Sequence, residues 1–425
     1  MKRILSFILT VAMLLCSLGT VAVAEEDAYQ VAEGVNPDSP VTLTMTSWFL
    51  SEAGVGDWLY DVCDKFHELY PNVTIVPEQI VYADYVKTLT VRMAAGDFPD
   101  IIWIPTRNLL EFANAGWIAD LTDEIAALGI DDSLVDQNAM WYNGQRLGIN
   151  MLVHNYVLWY NKLILDKAGV DVPTTPEELM AAVEACTFDD YYGISCITTV
   201  HANTQLEHSY FVTGLGSSIE SDGVFRYNDE TGIKATEMYL ECLRHSPLGN
   251  ASSQKRELFF SGKCALMIDQ AALQGSWDAI EDEELRNAIG VAKVPFPNQL
   301  TANSNSIHLP ASQDEETRKI AWEFIKFMIS KENILNLNAV GGVIRGRVDC
   351  VTDEMRANNP LLDLCAEIGT DYVSIEPQDP TMQEHYSEIQ DIVAQHLIGA
   401  VTEDVTAEEV ANQIQSELED AQRYW

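Results

Sequence analysis

The amino-acid sequence predicts an α/β protein built as two lobes, and three observations lead there. About 400 residues follow the first two dozen, more than a single compact core usually holds. Short β-rich runs alternate with amphipathic helical runs, the order that yields mostly parallel sheets flanked by helices. Beyond the first 24 residues nothing is long and apolar enough to cross a bilayer.

The N-terminus reads as an export signal. Lys2 and Arg3 precede an almost wholly apolar stretch from Ile4 to Leu18, and Ala22-Val23-Ala24 closes with small residues before Glu25. The alternatives are an uncleaved membrane anchor, for which the stretch is short, and a lipid anchor on Cys16. Leu14-Leu15 before that cysteine departs from the small residue a lipobox carries there. Residues 1–24 are therefore expected to be cleaved, giving a soluble product in the periplasm or outside the cell. Residues 25–40, acidic and interrupted by Gly34, Pro37 and Pro40, read as a flexible leader.

The whole chain carries a formal charge of −40. Cleavage would remove two basic residues and no acidic one, leaving 23 Lys and Arg against 65 Asp and Glu, or −42. Such a surface repels phosphate backbones and anionic headgroups, which disfavours nucleic-acid and membrane-surface roles. It also keeps an exported protein soluble, and says little about a ligand. Seven cysteines remain after Cys16, an odd number; Cys186 with Cys196 and Cys350 with Cys365 are near enough in sequence for local bridges in an oxidising compartment. No CxxC or Cys/His cluster of zinc type occurs, so no metal site is expected.

The elements follow in order. Val41–Trp48 alternates apolar and hydroxyl residues, a strand; 57–70 is a helix with Trp58, Leu59, Val62 and Phe66 on one face; Val73–Val76 is a second strand. A second helix spans 82–95 and breaks at Gly96-Asp97-Phe98-Pro99, and the nearly pure apolar Asp100–Ile104 suits a strand buried on both faces. In a parallel α/β lobe the ligand lies at the carboxyl edge of the strands, which selects Ser47 and Trp48 after the first strand and Pro105–Asn108 after the third. Further on, 143–162 is β-rich, and Thr175, Pro176 and Glu178 open a helix as N-cap, first turn and third position. Strands are expected at 192–198, 264–268 and 291–297, and helices at 237–244, 258–260 and 315–329, with helices alone after Asp353.

No single motif announces chemistry. Gly341-Gly342-Val-Ile-Arg-Gly lacks the Lys-Ser/Thr of a phosphate loop, and neither a Gly-x-Ser-x-Gly elbow nor a His-Glu-x-x-His helix occurs. His201, Glu207 and His208 match no metal-ligand spacing and read as loop residues. Among 65 acidic residues no glycosidase pair stands out.

Taken together, however, a series of segments resembles the family 1 extracellular solute-binding proteins, the maltose-binding-protein-like receptors of ABC sugar importers. The segments are Ala94–Trp103 (AAGDFPDIIW), Glu111–Thr122, Tyr142–Gly148, Leu158–Lys162 with Ala168-Gly169 and Pro173–Leu179, Phe260–Ile268 (FSGKCALMI) and Lys319–Ser330, in the family's order across nearly the whole chain. The resemblance implies a two-lobed periplasmic-binding-protein-like fold of type II with a ligand cleft between the lobes. The N-terminal lobe would be 41–152 plus 302–346 and the C-terminal lobe 153–301 plus 347–425, with crossings near Met151–Tyr156, Pro297–Asn305 and Gly346–Cys350.

By position, the resemblance places ligand contacts on Ser47, Trp48 and Phe49, on Thr106, Arg107 and Asn108, on His154 with Asn155, and on His385 and Tyr386. Where the family often has a stacking aromatic, this chain has Asp269-Gln270-Ala271-Ala272, so Asp269 and Gln270 take that position. Asn161, Lys162 and Gly262 are read as capping and turn residues. The implied function is capture of a small solute, expected to be a mono- or oligosaccharide, for the membrane subunits of an ABC importer. The protein is expected to be a monomer without cofactor, nucleic-acid partner or catalytic step. Rival readings are a same-fold receptor for a polyamine or phosphodiester, with Arg107 as an anion fork, and a secreted carbohydrate-active enzyme with facing carboxylates.

Overall fold

The first strand, β1 (Val41–Ser47), is the parallel centre of a small sheet: it pairs with β2 (Val73–Gln79) on one side and β3 (Ile101–Pro105) on the other. In this computed structural model residues 29–51, 54–80, 82–135, 140–339, 343–369, 371–403 and 405–425 are described. The expected signal segment, Cys16 and Gly341-Gly342 lie outside them. Helix α1 (Val55–Leu69) buries Trp58, Leu59, Val62 and Phe66, the face its periodicity predicts, and α2 (Tyr82–Ala94) buries Tyr85, Leu89 and Met93. Every residue of β3 is buried, as its nearly pure apolar sequence predicts.

Two long strands carry the chain between the lobes. β4 (Ile149–Asn161) pairs through its first half with β8 (Leu300–His308) and through its second with β6 (Cys264–Gln270) and β7 (Ile289–Ala292). β8 leaves β9 (Val373–Ser374) at Leu300 and Thr301 and reaches β3 at Asn305–His308; its register with β4 shifts on both sides of Asn305. A bulge bends a strand and increases its twist, which suits a crossing. The third return brings Arg345 opposite Leu152, with the Gly346 amide donating to the Met151 carbonyl at 3.0 Å.

Nine strands of the described residues thus form one sheet in the order β2-β1-β3-β8-β4-β6-β5, where β5 is Tyr192–Ile194, with β7 beside β4 and β9 beside β8. Pairing is parallel among β1, β2 and β3, between β5 and β6 and between β8 and β9, and antiparallel where β4 meets β6, β7 and β8 and where β8 meets β3. The hydrophobic core follows the sheet rather than the lobes. One cluster extends from Leu43 and Phe66 past the crossing to Trp159, Phe259 and Met267. The other fills the space under α3 (Lys162–Ala168), α4 (Pro176–Ala185), α5 (Ala202–Gly214) and α6 (Glu230–Arg244).

Local chemistry sets the helix ends. Asn161 accepts from the Leu163 amide at the start of α3, the capping role expected of it, and Gly169 ends that helix at φ +71°. Thr175 caps α4 with Pro176 in the first turn. Further helices are α7 (Ser252–Phe260), α8 (Glu315–Met328), α9 (Lys331–Asn338), α10 (Pro360–Ile368), α11 (Pro380–Glu384), α12 (Tyr386–Ala400) and α13 (Ala407–Gln422). After Asp353 only the two-residue β9 interrupts the helices.

Two expectations need correction. The leader is not free from Tyr29 onward: the Tyr29 hydroxyl reaches Tyr70 and Glu323, Val35 is 3% exposed, and Asn36 and Pro37 accept from Asn72. Its few apolar side chains find a groove beside α1 and α8, and that burial offsets the ordering entropy its polarity suggested would win. The seven cysteines are free and buried rather than bridged. Cys186 ends α4 while Cys196 lies past β5, so each belongs to a different packed element despite the short sequence separation.

Candidate functional site

The two lobes face each other across a cavity of about 550 Å³. Arg107 and Asn108, just past β3, form one wall; Asn203 of α5, Glu376, Gln383 of α11 and Tyr386 of α12 form the other. The Arg107 guanidinium lies 3.9 Å from the Glu376 carboxylate, an ion pair across the cleft. Asn203 also lines a second, inner chamber of about 210 Å³, enclosed by Tyr156, Tyr210, Ser252, Arg256, Asp269 and Gln270 with Glu207 and Lys255 behind them.

Several buried polar atoms around this region have no hydrogen-bond partner: Thr106 Oγ1, His154 Nδ1, Asn155 Nδ2 and Gln383 Oε1. Leaving such groups dry and unpaired costs about 1–3 kcal/mol each, so each is a polar atom that a ligand hydroxyl would satisfy if it reached it. His154 stands on β4 two residues before Tyr156, on the same side of the strand. Burial, and secondarily the nearby Arg345 and Arg256, pulls its pKa down to about 4, so its ring is neutral at pH 7 and offers both a donor and an acceptor.

The inner chamber rests on a buried charge network. Lys255, 2% exposed, places its ammonium 2.5 Å from Glu207 and 3.2 Å from Asp269 and donates to the Ile268 carbonyl at 2.7 Å. Arg256 grips Asp269 with two bonds, Nε at 3.0 Å and Nη2 at 2.8 Å. Glu207 also accepts from the Tyr239 hydroxyl and the Ile197 amide. Burial alone would raise the Asp269 pKa; Lys255 and Arg256 outweigh it and hold the carboxyl below its usual range.

The predicted site residues divide into groups. Arg107, Asn108, Asp269, Gln270 and Tyr386 line the two cavities, and Tyr386 donates to Gln205 at 3.0 Å. Thr106, His154 and Asn155 contribute unpaired polar atoms nearby. Ser47, Trp48 and Phe49 turn into the N-terminal core: the Ser47 hydroxyl accepts from the Phe49 amide, and Trp48, 4% exposed, packs edge-on against Tyr85 at 4.6 Å. His385 is directed elsewhere, stacked on Trp425 at 4.6 Å between ring centres.

Sequence reasoning missed Tyr156, Asn203, Tyr210, Arg256, Glu376 and Gln383. Strand alternation from His154 reaches Tyr156, so that residue was within reach. Asn203 and Tyr210 sit on a helix buried on nearly every side, where periodicity selects no face. Among the described residues no group of three or more His, Cys, Asp or Glu is arranged to hold a metal ion, and no helix is long and apolar enough to span a membrane.

Two lobes with a polar cavity lined from both sides have the architecture of a two-lobed solute-binding protein. A family model described as bacterial extracellular solute-binding protein matches residues 51–334, and the chain belongs to that family. A diacetylchitobiose binding protein of Streptomyces coelicolor, DasA, is 23% identical over 324 residues, 71% of this chain and 72% of that one. A probable sugar-binding periplasmic protein of Rhizobium meliloti is 37% identical over 101 residues, 23% of this chain and 24% of its own. Among solved structures, the sugar-binding protein MalE of Xanthomonas citri superposes with a TM-score of 0.78 at 16% identity, covering 91% of this chain and 98% of that one. UgpB of Mycobacterium tuberculosis, in complex with glycerophosphocholine, gives 0.72 at 16% identity over 90% and 98%. At these identities the structures establish the fold and not the ligand.

Proposed function

We propose that this protein captures a neutral mono- or oligosaccharide between its lobes and presents it to an ABC importer, after export and removal of residues 1–24. The observation that carries the reading is a polar cavity lined by Arg107 and Asn108 on one side and by Asn203, Glu376, Gln383 and Tyr386 on the other, with the unpaired Gln383 Oε1 among its polar atoms. The cavity linings hold Arg107, Lys255 and Arg256 against Glu207, Asp269, Glu376 and Glu384, and the first three carboxylates are each paired with one of those cations. A phosphodiester would need surplus positive charge there, and a polyamine, with several ammonium groups, more surplus negative charge than the one carboxylate of Glu384 supplies. A polyol needs neither, only donors and acceptors placed around its hydroxyls.

The lobes divide as 41–152 with 302–346 and 153–301 with 347–425, and Arg107, Asn108, His154 and Tyr386 contact the ligand from both. Ligand then favours the closed form, because only there do both lobes touch it. A receptor of this kind requires no chemical step, and Glu207 and Asp269 are both engaged with Lys255. The diacetylchitobiose named for the Streptomyces relative supports the substrate class.

Calorimetric titration with maltose, N,N′-diacetylchitobiose, spermidine and glycerophosphocholine tests this. Saturable binding of at least one sugar near micromolar Kd, about −8 kcal/mol, is expected. Binding of spermidine or glycerophosphocholine in place of both sugars would replace the substrate class, and release of cleaved sugar would make the protein an enzyme.

A further inference from the structure

We propose that Arg256 is a specificity-determining contact in the inner chamber, where its open guanidinium edge reads one terminal ring of the ligand, and that Asp269 acts on the ligand only by positioning Arg256. The inference rests on the sugar reading above and deepens it. Arg256 spends one edge of its guanidinium, Nε and Nη2, on the two oxygens of Asp269. The opposite edge, at Nη1, has no partner among the described residues, and the side chain is 33% exposed toward the chamber that it lines. A planar fork held by a bidentate carboxylate is oriented in advance, so little entropy is lost when its free edge engages an acceptor.

Asp269 lines the chamber, but its carboxylate oxygens are already engaged. It is 4% exposed and accepts from Arg256 twice, from the Gln270 amide and from Lys255. The lone pairs a sugar hydroxyl would use are already taken. Behind it, Lys255 and Glu207 neutralise one another, so the inner wall presents two cations and two carboxylates. A chamber so balanced favours a neutral ring over a uronate or phosphate, whose added charge would meet no surplus cation.

Size points the same way. The chamber of about 210 Å³ has room for about seven waters at ~30 Å³ each, closer to one ring than to a chain. Its other walls supply the remaining contacts: the Tyr156 and Tyr210 rings, 4.6 Å apart, and Asn203, whose amide donates to the Ser252 hydroxyl at 3.1 Å. Because Asn203 also lines the outer cavity of about 550 Å³, a longer ligand extends from the chamber toward Arg107 and Tyr386. One end of the ligand is thereby read at Arg256 while the rest lies in the wider cleft.

The test is calorimetric titration of the wild type, Arg256→Lys, Arg256→Gln and Asp269→Asn with maltose, N,N′-diacetylchitobiose and glycerophosphocholine. Arg256→Lys keeps a positive charge beside Asp269 and so decides the matter if Arg256→Gln fails to fold. The expected result is sugar binding by the wild type, weakened at least tenfold in both Arg256 variants. Asp269→Asn should weaken it less, since Arg256 remains but is no longer fixed. Unchanged sugar Kd in Arg256→Lys and in folded Arg256→Gln would overturn the role of Arg256 and leave the sugar reading standing. A wild type that binds neither sugar would overturn that reading and the inference with it. Glycerophosphocholine binding tighter than either sugar, and lost in Arg256→Gln, would show that the open edge reads an anion and would overturn the preference for a neutral ring.

Discussion

Lys255 shows how strongly single buried charges are held. Burial pushes its pKa down, and the Asp269 and Glu207 carboxylates outweigh that and hold it above the ordinary lysine value. Replacing it with methionine would leave those carboxylates with an uncompensated charge, a loss of about 3–5 kcal/mol. A urea titration should show a lower midpoint with an unchanged slope. His308 is the second case: fully buried on β8, it bridges the Ser306 hydroxyl at 2.7 Å and the Leu147 carbonyl at 2.9 Å, and burial pulls its pKa down to about 4. The unfolded imidazole titrates near 6.5, so the unfolded state binds more protons between those values. The stability of a neutral His308 is therefore complete above pH 6.5 and lost as pH falls toward 4, about 3 kcal/mol in all. The chain's general acidity acts oppositely, so the comparison is with His308→Gln: its deficit in urea midpoint at pH 7 should shrink by pH 4.5. A deficit constant with pH would show that the ring's charge is not involved.

Elements are where the sequence was most legible. Helix α1 and strand β3 begin and end within a residue or two of where periodicity and Gly96-Pro99 set them, because each buries a face that its pattern marks. The Asn161 and Thr175 caps were legible for the same local reason. Strand β8 was less so. Leu300–His308 mixes Asn, Ser and Thr into a buried strand, since its neighbours β3 and β4 satisfy its backbone while its side chains serve the crossing. The turn before β4 supports a prediction. A side chain on Gly148 would come within 2.4 Å of the Ile307 carbonyl, whereas Gly144, at φ +76°, has open space around it. Gly148→Ala must force two paired strands apart and should cost several kcal/mol; Gly144→Ala bears only the left-handed backbone, about 1 kcal/mol. Thermal melts of the two variants should separate them clearly, and equal losses would contradict the packing of β4 on β8.

For the molecule as a whole, the ordered motifs disclosed the fold, while the ligand wall came only half into view. Arg107 and Asn108 were reachable because topology places strand ends at the cleft, and Asp269 through the family resemblance. Tyr386 was reachable only through the family resemblance, since it begins the helix α12 rather than ending a strand. Arg256, Asn203 and Gln383 lie on helices whose approach to the cleft depends on how the lobes assemble, and no local pattern encodes that. The first-strand positions Trp48 and Phe49 went the other way, into an aromatic core with Tyr85 and Trp103. The account's central claim is that a neutral sugar is gripped by both lobes at once. Hydrogen–deuterium exchange with and without saturating maltose or N,N′-diacetylchitobiose tests it most directly. Exchange should slow together in 106–108 of one wall and in 376–387 of the other. Protection of one wall alone, or of neither with either sugar, would contradict it.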